Sequence, residues 1–581
     1  MPWGPGCCVL EDPAQREANA ALSPGTSGHG GAHGTNRWVG PTRGIICVFM
    51  IQRDVLKSNP DNSDRRRADQ DAVAAALNLK STTMQKNVLP KTLLAIFAVF
   101  ALSSPAFAQI GRRFPSEKKI VPDPVTGIPL TFLTSTLAGD SKIYQTHRQW
   151  TSDGQWLIFR SRRAPGQAMA VNEATGDIVQ VTEKGYTGML CVARLSMKLY
   201  LMRDLTAPPP ESEARLLTPV TPRPEGMGPG GPPPAAQKKK EKAGGFVRPR
   251  GPFQIVEVDL AKIFADSAAG TMRPADSYER VCGTVPTEIY ASGNMGLDAN
   301  EDYIYFGVSG GDVGKNMDLN NPVFSQYVEP GTNHAKPFGP RGMGGGPTGL
   351  RSMNLKTGEV KTVVDVPFQI GHVQTNPWVP GEIVFCWETG GKAPQRTWTV
   401  MADGTGLRPL YAEEPFEWVT HEAVITKDEV VIAIPGTHRP TAGNNPVSEW
   451  GPAGSVEHPT GVGIVNLRTR EMRIVGQVPV GDPGGTIWHV NGSADGRWAA
   501  ADDSLQRLWL IDRHSGEMIL LSDNGHHRTA ADHQHPTFNA SGTEIEIQSA
   551  MLSEDGRSLN ICVVPVPKSW LARTYSDKIA Q

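Results

Sequence analysis

From residue 110 onward the chain repeats a two-part pattern of short strands and tight turns. An apolar strand follows a turn of the Asp-Gly type, and two further strands flank a second glycine turn. The first copy runs over residues 150–159 and continues over residues 168–181. Asp-Gly and Thr-Gly between alternating apolar runs are hairpin signals, because glycine accepts the positive φ that tight turns demand. The pattern predicts consecutive antiparallel hairpins, and it predicts no amphipathic helix after residue 110.

Seven copies of this pattern follow one another, at a spacing of roughly 45 residues that insertions stretch. Such a spacing suits the four-stranded blade of a propeller, in which neighbouring blades bury their apolar sheet faces against one another. The predicted fold is therefore all-β, a seven-bladed β-propeller. An early apolar strand at residues 130–134 can pair with the last blade and close the ring, which removes the free sheet edges.

Two glycine-rich and proline-rich stretches interrupt the repeat. Residues 206–251 contain two proline runs and the lysine run Lys238–Lys240, with almost nothing apolar to bury. This composition predicts a disordered insertion inside the second blade, and a basic docking tail is the alternative. Residues 331–348 are predicted to form a second loop of the same kind.

The residues before the repeat look like an export signal behind an extension. The apolar run 93–102 follows Lys86 and Lys91 and precedes Ala106-Phe-Ala108, which are the three parts of a secretory signal peptide. About ten apolar residues are too few to cross a bilayer, which needs about 20. Residues 84–108 are therefore predicted to be a signal peptide, so that the product is periplasmic or secreted and has no membrane anchor.

Residues 1–83 are polar and show no sustained period, so they are predicted to be a non-native or disordered extension. On this hypothesis Met84 is the true initiator, and the mature propeller domain occupies residues 109–581. Four of the seven cysteines then remain, without any CxxC spacing, and they are expected to be buried as small hydrophobes. The 57 basic and 59 acidic residues nearly cancel, which argues against a protein that binds nucleic acid.

Histidines are the strongest candidates for chemistry in this chain. Twelve of the 14 follow residue 108, and several stand where a predicted blade begins. Loops that enter the innermost strands of a propeller converge on its central channel. Residues at equivalent positions of different blades, that is, at the same phase of the repeat, therefore meet in space. The histidines that share this phase are His147, His372, His421, His489, His533 and His535.

His533 and His535 are separated by one residue, so both rings point to one face of an extended segment. Such a pair can bind a divalent metal, with His421 and His489 as the candidate third and fourth ligands. Histidines exposed at the surface are the alternative interpretation of an isolated H-x-H. The chain contains no G-x-S-x-G elbow, no HExxH and no P-loop, so the motifs of serine hydrolases, zinc proteases and P-loop nucleotidases are absent.

Five short motifs in the same order resemble the oligogalacturonate lyases. They are I-G-H-V around His372, F-C-W-E at 385–388, R-T-W-T-V-M-A-D-G at 396–404, T-H-E at 420–422 and H-Q-H-P-T-F at 533–538. The resemblance covers roughly residues 140–566. It implies a seven-bladed propeller that cleaves uronic-acid oligosaccharides by β-elimination and binds manganese.

The resemblance also implies roles for individual residues. It makes His372 the catalytic base, and it makes His421, His533 and His535 metal ligands, for Mn²⁺ with Ca²⁺ as the alternative. Arg396 corresponds to an arginine that faces the substrate. The glutamine ligand of the family is replaced by Ala530, so His489, water or substrate must complete the coordination.

The predicted function is a secreted, metal-dependent lyase whose partner is an acidic, uronate-containing oligosaccharide. One alternative is a lyase of the same fold that acts on a rhamnose–glucuronate linkage, with His147 as the base in place of His372. The other is a non-catalytic binding propeller of the TolB-like kind, whose blade turns look much the same. A scaffold does not need clustered histidines at a channel mouth, and this difference separates the two classes.

Overall fold

The structure is a computed structural model, and it describes the backbone of five short strands between residues 3 and 49 together with residues 109–206, 252–337, 343–390, 393–414, 417–435, 460–478, 486–523 and 533–575. The chain divides into two compact units, Met1–Pro105 and Ala106–Gln581. In the first unit, five short strands form one antiparallel sheet in chain order. They are Trp3–Gly4, Cys7–Val9, Ser27–Gly30, Asn36–Gly40 and Ile45–Phe49. The predicted signal peptide at 84–108 lies outside the described residues.

The second unit is the predicted seven-bladed β-propeller, with one antiparallel sheet for each blade in the described part of the chain. From the channel outward, the strands of blade 1 are Asp140–Lys142, Trp156–Ser161, Gln167–Asn172 and Ile178–Gln180. Those of blade 2 are Thr187–Val192, Lys198–Asp204, Phe253–Asp259 and Glu279–Val285. Those of blade 3 are Tyr290–Leu297, Tyr303–Ser309, Gly345–Asn354 and Val360–Phe368.

Blades 4 and 6 follow the same plan without long insertions between their described strands, whereas residues 435–460 separate the second and third strands of blade 5. The strands of blade 4 are Ile370–Thr375, Glu382–Trp387, Thr397–Met401 and Arg408–Pro409. Those of blade 5 are Thr420–Thr426, Glu429–Ile434, Gly461–Asn466 and Met472–Gly476. Those of blade 6 are Ile487–Gly492, Trp498–Asp503, Arg507–Asp512 and Met518–Asp523.

Blade 7 is built from both ends of the propeller unit. The C-terminal part supplies Thr537–Phe538, Glu544–Ser549 and Asn560–Pro565, and the N-terminal part supplies Pro129–Phe132 and Lys119–Pro122. Phe132 pairs with Cys562, which confirms the predicted closure of the ring. A further early strand, Arg113–Phe114, extends the outer edge of blade 1.

The apolar core lies between the blades, in seven clusters of buried side chains. In one of them Phe368 stacks on Trp387, with ring centroids 4.6 Å apart and an interplanar angle of 14°. Both tryptophans of this cluster, Trp387 and Trp398, are fully buried. At about 25 cal/mol per Å² of apolar surface, aromatic rings of this size dominate the burial energy of a blade interface.

The prediction of no amphipathic helix after residue 110 is wrong in blade 2. A ten-residue helix, Leu260–Ala269, connects the third and fourth strands of blade 2 and packs Leu260 and Ile263 into the core. Asp259 caps its N-terminus by accepting a hydrogen bond from the amide of Lys262, and Gly270 ends it with φ +68°. A second helix among the described residues is the single turn Lys568–Leu571.

The two predicted loops have different outcomes. The predicted insertion at 206–251 lies outside the described residues except at its first position. The predicted loop at 331–348 is shorter than expected, because the third strand of blade 3 already begins at Gly345. Within the described residues no helix is long and apolar enough to cross a membrane. The four cysteines of this unit are buried and form no disulfide with one another, as predicted: Cys191, Cys282, Cys386 and Cys562.

Candidate functional site: a histidine cluster at one mouth of the channel

Backbone irregularities place the histidines at the ends where the innermost strands begin. In blade 4 the strand pairing shifts register between Gly371 and Gln374, and in blade 5 between Thr420 and Ala423. His372 and His421 lie inside these β-bulges, with φ +45° and +52°, and His535 has φ +52° just before the first strand of blade 7. Bulges re-aim side chains, and a non-glycine residue at positive φ is strained by about 1–3 kcal/mol, which is common at functional sites.

Four imidazole rings meet around His489. The ring centroid of His489 lies 4.1 Å from that of His421, 3.8 Å from that of His535 and 5.3 Å from that of His533. These four residues come from blades 5, 6 and 7. The structure therefore brings together all four histidines for which the sequence predicts a metal-binding role. We refer to His421, His489, His533 and His535 as the histidine cluster.

A buried carboxylate holds the central ring in place. Asp502, on the second strand of blade 6, is fully buried and lies 3.0 Å through Oδ2 from Nδ1 of His489. The amide of His489 donates to Asp502 Oδ1 and that of His535 to Oδ2, at 2.7 and 3.0 Å. Burial raises the pKa of Asp502, although His533 and His535 favour the ionised carboxylate. A carboxylate that fixes one ring nitrogen leaves the other to bind a metal.

A tyrosine orients a second ring of the histidine cluster. The hydroxyl of Tyr144 lies 2.5 Å from Nδ1 of His421, and the Tyr144 ring lies 5.0 Å from His372 and 5.2 Å from His535 between centroids. Burial, followed by the nearby His489 and Arg396, lowers the pKa of His421 well below its usual range. His421 is therefore neutral at ordinary pH, which is the form that binds a metal.

The donor set fits a divalent metal. The ligand atoms of His489, Asp502 and His533 lie within 4.8 Å of one another, and the rings of His421 and His535 complete the group. Imidazoles together with one carboxylate suit a divalent transition metal better than Ca²⁺, which prefers oxygen ligands.

A separate network of buried charges lies beside the histidine cluster, on blades 4 and 5. His372 Nδ1 lies 3.0 Å from Glu422 Oε1, and Arg396 Nε donates to Glu422 Oε2 at 3.1 Å. Glu388 Oε2 lies 3.5 Å from His372 Nε2 and 3.8 Å from an Arg396 nitrogen. The rings of His372 and His421 are 5.9 Å apart between centroids, so this network and the histidine cluster are neighbours.

The charges in this network stabilise one another. Burial alone would raise the pKa of Glu422, but the Arg396 guanidinium and His372 outweigh it and lower that pKa to about 2. The pKa of Glu388 is lowered against its desolvation by the same two partners. Glu422 Oε1 and, at 3.3 Å, Arg396 Nη2 both face His372 Nδ1. In the tautomer that donates Nδ1–H to Glu422, the lone pair of the imidazole is on Nε2.

Cys386 lies in the same network, with its Sγ 3.8 Å from Glu388 Oε2. Together with His372 and Glu422 it forms a second group of closely spaced ligand atoms. Burial raises the pKa of the Cys386 thiol well above its usual range, so the thiolate that binds metals is disfavoured. Glu422 is already bound to Arg396 and His372. This group therefore fits a metal less well than the histidine cluster does.

Arg396 and His147 are placed differently from what the sequence predicts. Arg396 is 3% exposed and its guanidinium is bound by Glu422, so it does not face an open site. His147 contacts Met295 O through Nε2 at 2.8 Å and Thr146 Oγ1 through Nδ1 at 2.7 Å. Burial lowers the pKa of His147 to about 4. Both of its ring nitrogens are engaged, and Tyr144 takes its place among the histidines.

Several residues of the site carry no predicted role in the sequence analysis, among them Glu388, Glu422, Asp502 and Tyr144. Glu422 stands in the T-H-E motif directly after His421, and Asp502 follows an apolar run in which a buried acid is unusual. These two signals are visible in the sequence. Tyr144 has no comparable signal, since only the turn at 145–146 brings it to this end of the channel. Ala530, which replaces the glutamine ligand of the family, lies outside the described residues.

Fold and site together define a class: seven-bladed propellers with an imidazole-rich mouth of the central channel. No protein-family model and no curated protein matches the chain. Among solved structures, an oligogalacturonate lyase in complex with manganese superposes with a TM-score of 0.53 at 16% identity. The match covers 80% of this chain and 99% of that chain.

A second solved structure, an oligogalacturonate lyase from Vibrio parahaemolyticus, gives a TM-score of 0.53 at 15% identity over 80% of this chain and 100% of that one. The resemblance to this family is thereby confirmed at the level of the fold. A TolB from Acinetobacter baumannii covers 93% of this chain and 78% of its own at 10% identity, with a TM-score of only 0.28.

Proposed function

We propose that this protein is a metal-dependent lyase that cleaves uronate-containing oligosaccharides by β-elimination and leaves an unsaturated uronate. The observation that carries the proposal is the position of His372. Glu422 contacts its Nδ1, and its ring centroid lies 5.9 Å from that of His421 in the histidine cluster. A proton acceptor and a cation site at this separation can act on the same sugar ring.

His372 is the proposed base. The proton on C5 of a uronate is weakly acidic, and its removal next to an ionised carboxylate accumulates negative charge. With Nδ1–H donated to Glu422, Nε2 is the atom that accepts this proton. A positioned base of this kind contributes about 10²- to 10⁴-fold to the rate. The 4-linked sugar then leaves, and the reaction needs no nucleophile.

The histidine cluster is the proposed metal site, for Mn²⁺ or alternatively Ca²⁺. A bound divalent cation would neutralise the substrate carboxylate and stabilise the enolate-like charge that forms next to it. Asp502 and Tyr144 orient His489 and His421 through their Nδ1 atoms, which leaves the Nε2 atoms for the metal.

Arg396 is proposed to act as a positioning residue. Its ion pair keeps Glu422 ionised, and Glu422 fixes the ring of His372. This differs from the direct contact with substrate that the family resemblance implies. The engaged ring nitrogens of His147 likewise favour His372 over His147 as the base, which weakens the argument for a lyase of rhamnose–glucuronate linkages.

The decisive experiment is a screen of defined uronate oligomers, galacturonate and rhamnose–glucuronate types included, for the ultraviolet absorbance of an unsaturated uronate. We expect absorbance to grow with at least one member and to stop in excess chelator, with manganese restoring it. Silence across a broad panel would favour the non-catalytic binding propeller. Full activity in excess chelator would remove the metal from the proposal.

Export to the periplasm or the medium belongs to the same proposal and rests on residues 84–108. Mass spectrometry of the protein isolated from its native source would test it. We expect the first mature residue to be Gln109, and peptides that precede Met84 would contradict this expectation.

A further inference from the structure

A second cavity lies at the opposite end of the central channel. It has a volume of about 170 Å³, and all seven blades line it with residues from the ends of their innermost strands. Asn491 and Thr537, for example, follow His489 and His535 by two positions in the same blades. The cavity therefore begins one strand step, about 7 Å, beyond the histidine cluster along the channel. The volume admits a small molecule and not merely one water.

Two arginines without an acidic partner stand in this cavity. Arg148 is fixed by its own blade, since Nε donates to Trp150 O at 2.8 Å and Nη2 to Thr151 O at 3.3 Å. Arg194 has a buried Nε with no hydrogen-bond partner among the described residues. Burial and the neighbouring Arg194 lower the pKa of Arg148, and the charge of Glu301 offsets part of this effect.

The acidic residues of the cavity are occupied by other groups. Glu301 accepts hydrogen bonds from the amide of Leu195 and the hydroxyl of Ser196, at 2.5 and 2.6 Å. Asp298 accepts from the amides of Gly381 and Asn300 at 2.8 and 3.2 Å. Both carboxylates keep their charge, but neither forms an ion pair with Arg148 or Arg194 in the described part of the chain, so the remaining guanidinium hydrogens are available to an external anion.

The remaining lining adds an acceptor and an aromatic surface. Gln145 is 1% exposed, and its Oε1 accepts no hydrogen bond within the described ranges, although it is buried and lines the cavity. Such an atom needs a donor such as a hydroxyl group. Trp378 lines the same cavity and is 37% exposed, which is unusual for so large an apolar ring.

We propose that this cavity is a second binding site, for a small hydroxylated carboxylate of the uronic-acid monosaccharide class. Arg194 and Arg148 bind the carboxylate, a sugar hydroxyl donates to Gln145 Oε1, and Trp378 packs against the carbon face of the ring. The inference uses only the lining of the cavity and does not depend on catalysis at the histidine cluster.

Calorimetric titration of the full-length protein with galacturonate tests the proposal, with galactose as the neutral control. Arg194→Gln should weaken one galacturonate-binding event by about tenfold or more, because a charge-assisted hydrogen bond is lost. Trp378→Ala should weaken the same event without a change of charge. The binding event should persist in His421→Ala, because His421 does not line the cavity.

Arg162→Gln is the matched control, since Arg162 is an exposed arginine outside the cavity. It should bind galacturonate like the unaltered protein, and thermal unfolding should show that every variant is folded. The proposal is overturned if galacturonate does not bind, if His421→Ala removes all binding, if Arg194→Gln binds as tightly as the unaltered protein, or if galactose binds equally well. Turnover of oligomers is not a readout here, so failure of the lyase proposal would be seen separately.

Discussion

Two parts of the channel wall contain the same backbone irregularity, a β-bulge in the first strand of the blade, but place different residues in it. In blades 2 and 3 the bulged first strands place glycines at positive φ, Gly188 at +72° and Gly293 at +81°. In blades 4 and 5 the corresponding bulges hold His372 and His421. A Cβ on Gly188 would lie 2.2 Å from the carbonyl oxygen of Gly293, so the glycine bulges let two backbones pack together.

The difference shows which part of the wall is built for packing and which for chemistry. Glycine adopts a positive φ without steric cost, whereas an imidazole there is strained by about 1–3 kcal/mol. The histidine bulges keep this strain and gain side chains aimed at the channel axis. We therefore expect substitutions of the histidines that face the channel in blades 4 to 7 to change activity or metal binding, and substitutions of the bulge glycines in blades 2 and 3 to change stability.

The largest effect on activity is expected for His372→Asn. Asparagine tolerates a positive φ better than most residues, so the bulge should survive while the base is removed. We expect kcat on the uronate oligomer that proves to be the substrate to fall by about 10²- to 10⁴-fold, with metal content and Tm nearly unchanged. His514→Asn, an exposed histidine on blade 6, is the control, and equal losses in both variants would disprove the assignment of the base.

Gly188→Ala tests the packing part of the comparison. The added Cβ meets Gly293 O at 2.2 Å as well as a left-handed φ, so the free energy of unfolding should drop by at least about 3 kcal/mol. Gly154→Ala isolates the backbone strain, because Gly154 has φ +71° and nothing within 4 Å of an added Cβ. It should cost only about 1–2 kcal/mol in urea unfolding. Equal losses in the two variants would mean that the contact between the blades is not tight.

Asp502→Asn should weaken metal binding by about 10- to 100-fold, since Asp502 orients His489 through Nδ1. Titration with Mn²⁺ against a competing chelator measures this change. The neighbouring Asp503 binds Arg507 and Trp509 instead, at 2.6 and 3.0 Å. Asp503→Asn should therefore leave the metal affinity unchanged, whatever it does to stability. A similar loss of affinity in both would show that the effect is not specific to Asp502.

The smallest effect concerns His147, a histidine with a structural role. Its pKa is lowered to about 4 in the folded protein, so folding favours the neutral ring. The stability that this provides is complete above pH 6.5 and is lost as the pH falls from 6.5 toward 4. His147→Gln should remove this loss, so that the urea midpoints of the two proteins converge between pH 7 and pH 4.5. Parallel curves would mean that His147 is not buried as described.

Much of the fold is predictable because each blade repeats a local signal. Glycine turns and alternating apolar residues determine the hairpins, and pairing with the last blade covers the second edge of the early apolar strand, whose first edge pairs with Lys119–Pro122. The helix Leu260–Ala269 is missed because its capping residues, Asp259 and Gly270, also occur throughout the glycine turns. Its apolar residues are too few to stand out from the strand pattern around it.

The site is less predictable than the fold, and blade 1 shows why. His147, His489 and His535 each stand seven residues before the glycine of the following turn, so the sequence assigns them one phase. In blade 1 the amide of His147 bonds to Tyr144 O within a turn, and this turn replaces the strand that would carry the histidine to the mouth. A local turn between two apolar segments shifts by a few residues which position of the blade faces the channel mouth. The spacing of residues in the sequence does not reveal such a turn.

Blade 7, which combines strands from both ends of the propeller unit, can form only late in synthesis. The amide of Ile561 donates to Thr134 Oγ1 across 427 positions of sequence, so the toroid closes only after nearly the whole polypeptide has left the ribosome. Until then Pro129–Phe132 has an open edge that includes Leu130 and Phe132, both buried in the finished ring. A nascent or truncated chain that lacks Asn560–Pro565 is therefore expected to be prone to aggregation, and such a chain would need chaperone protection.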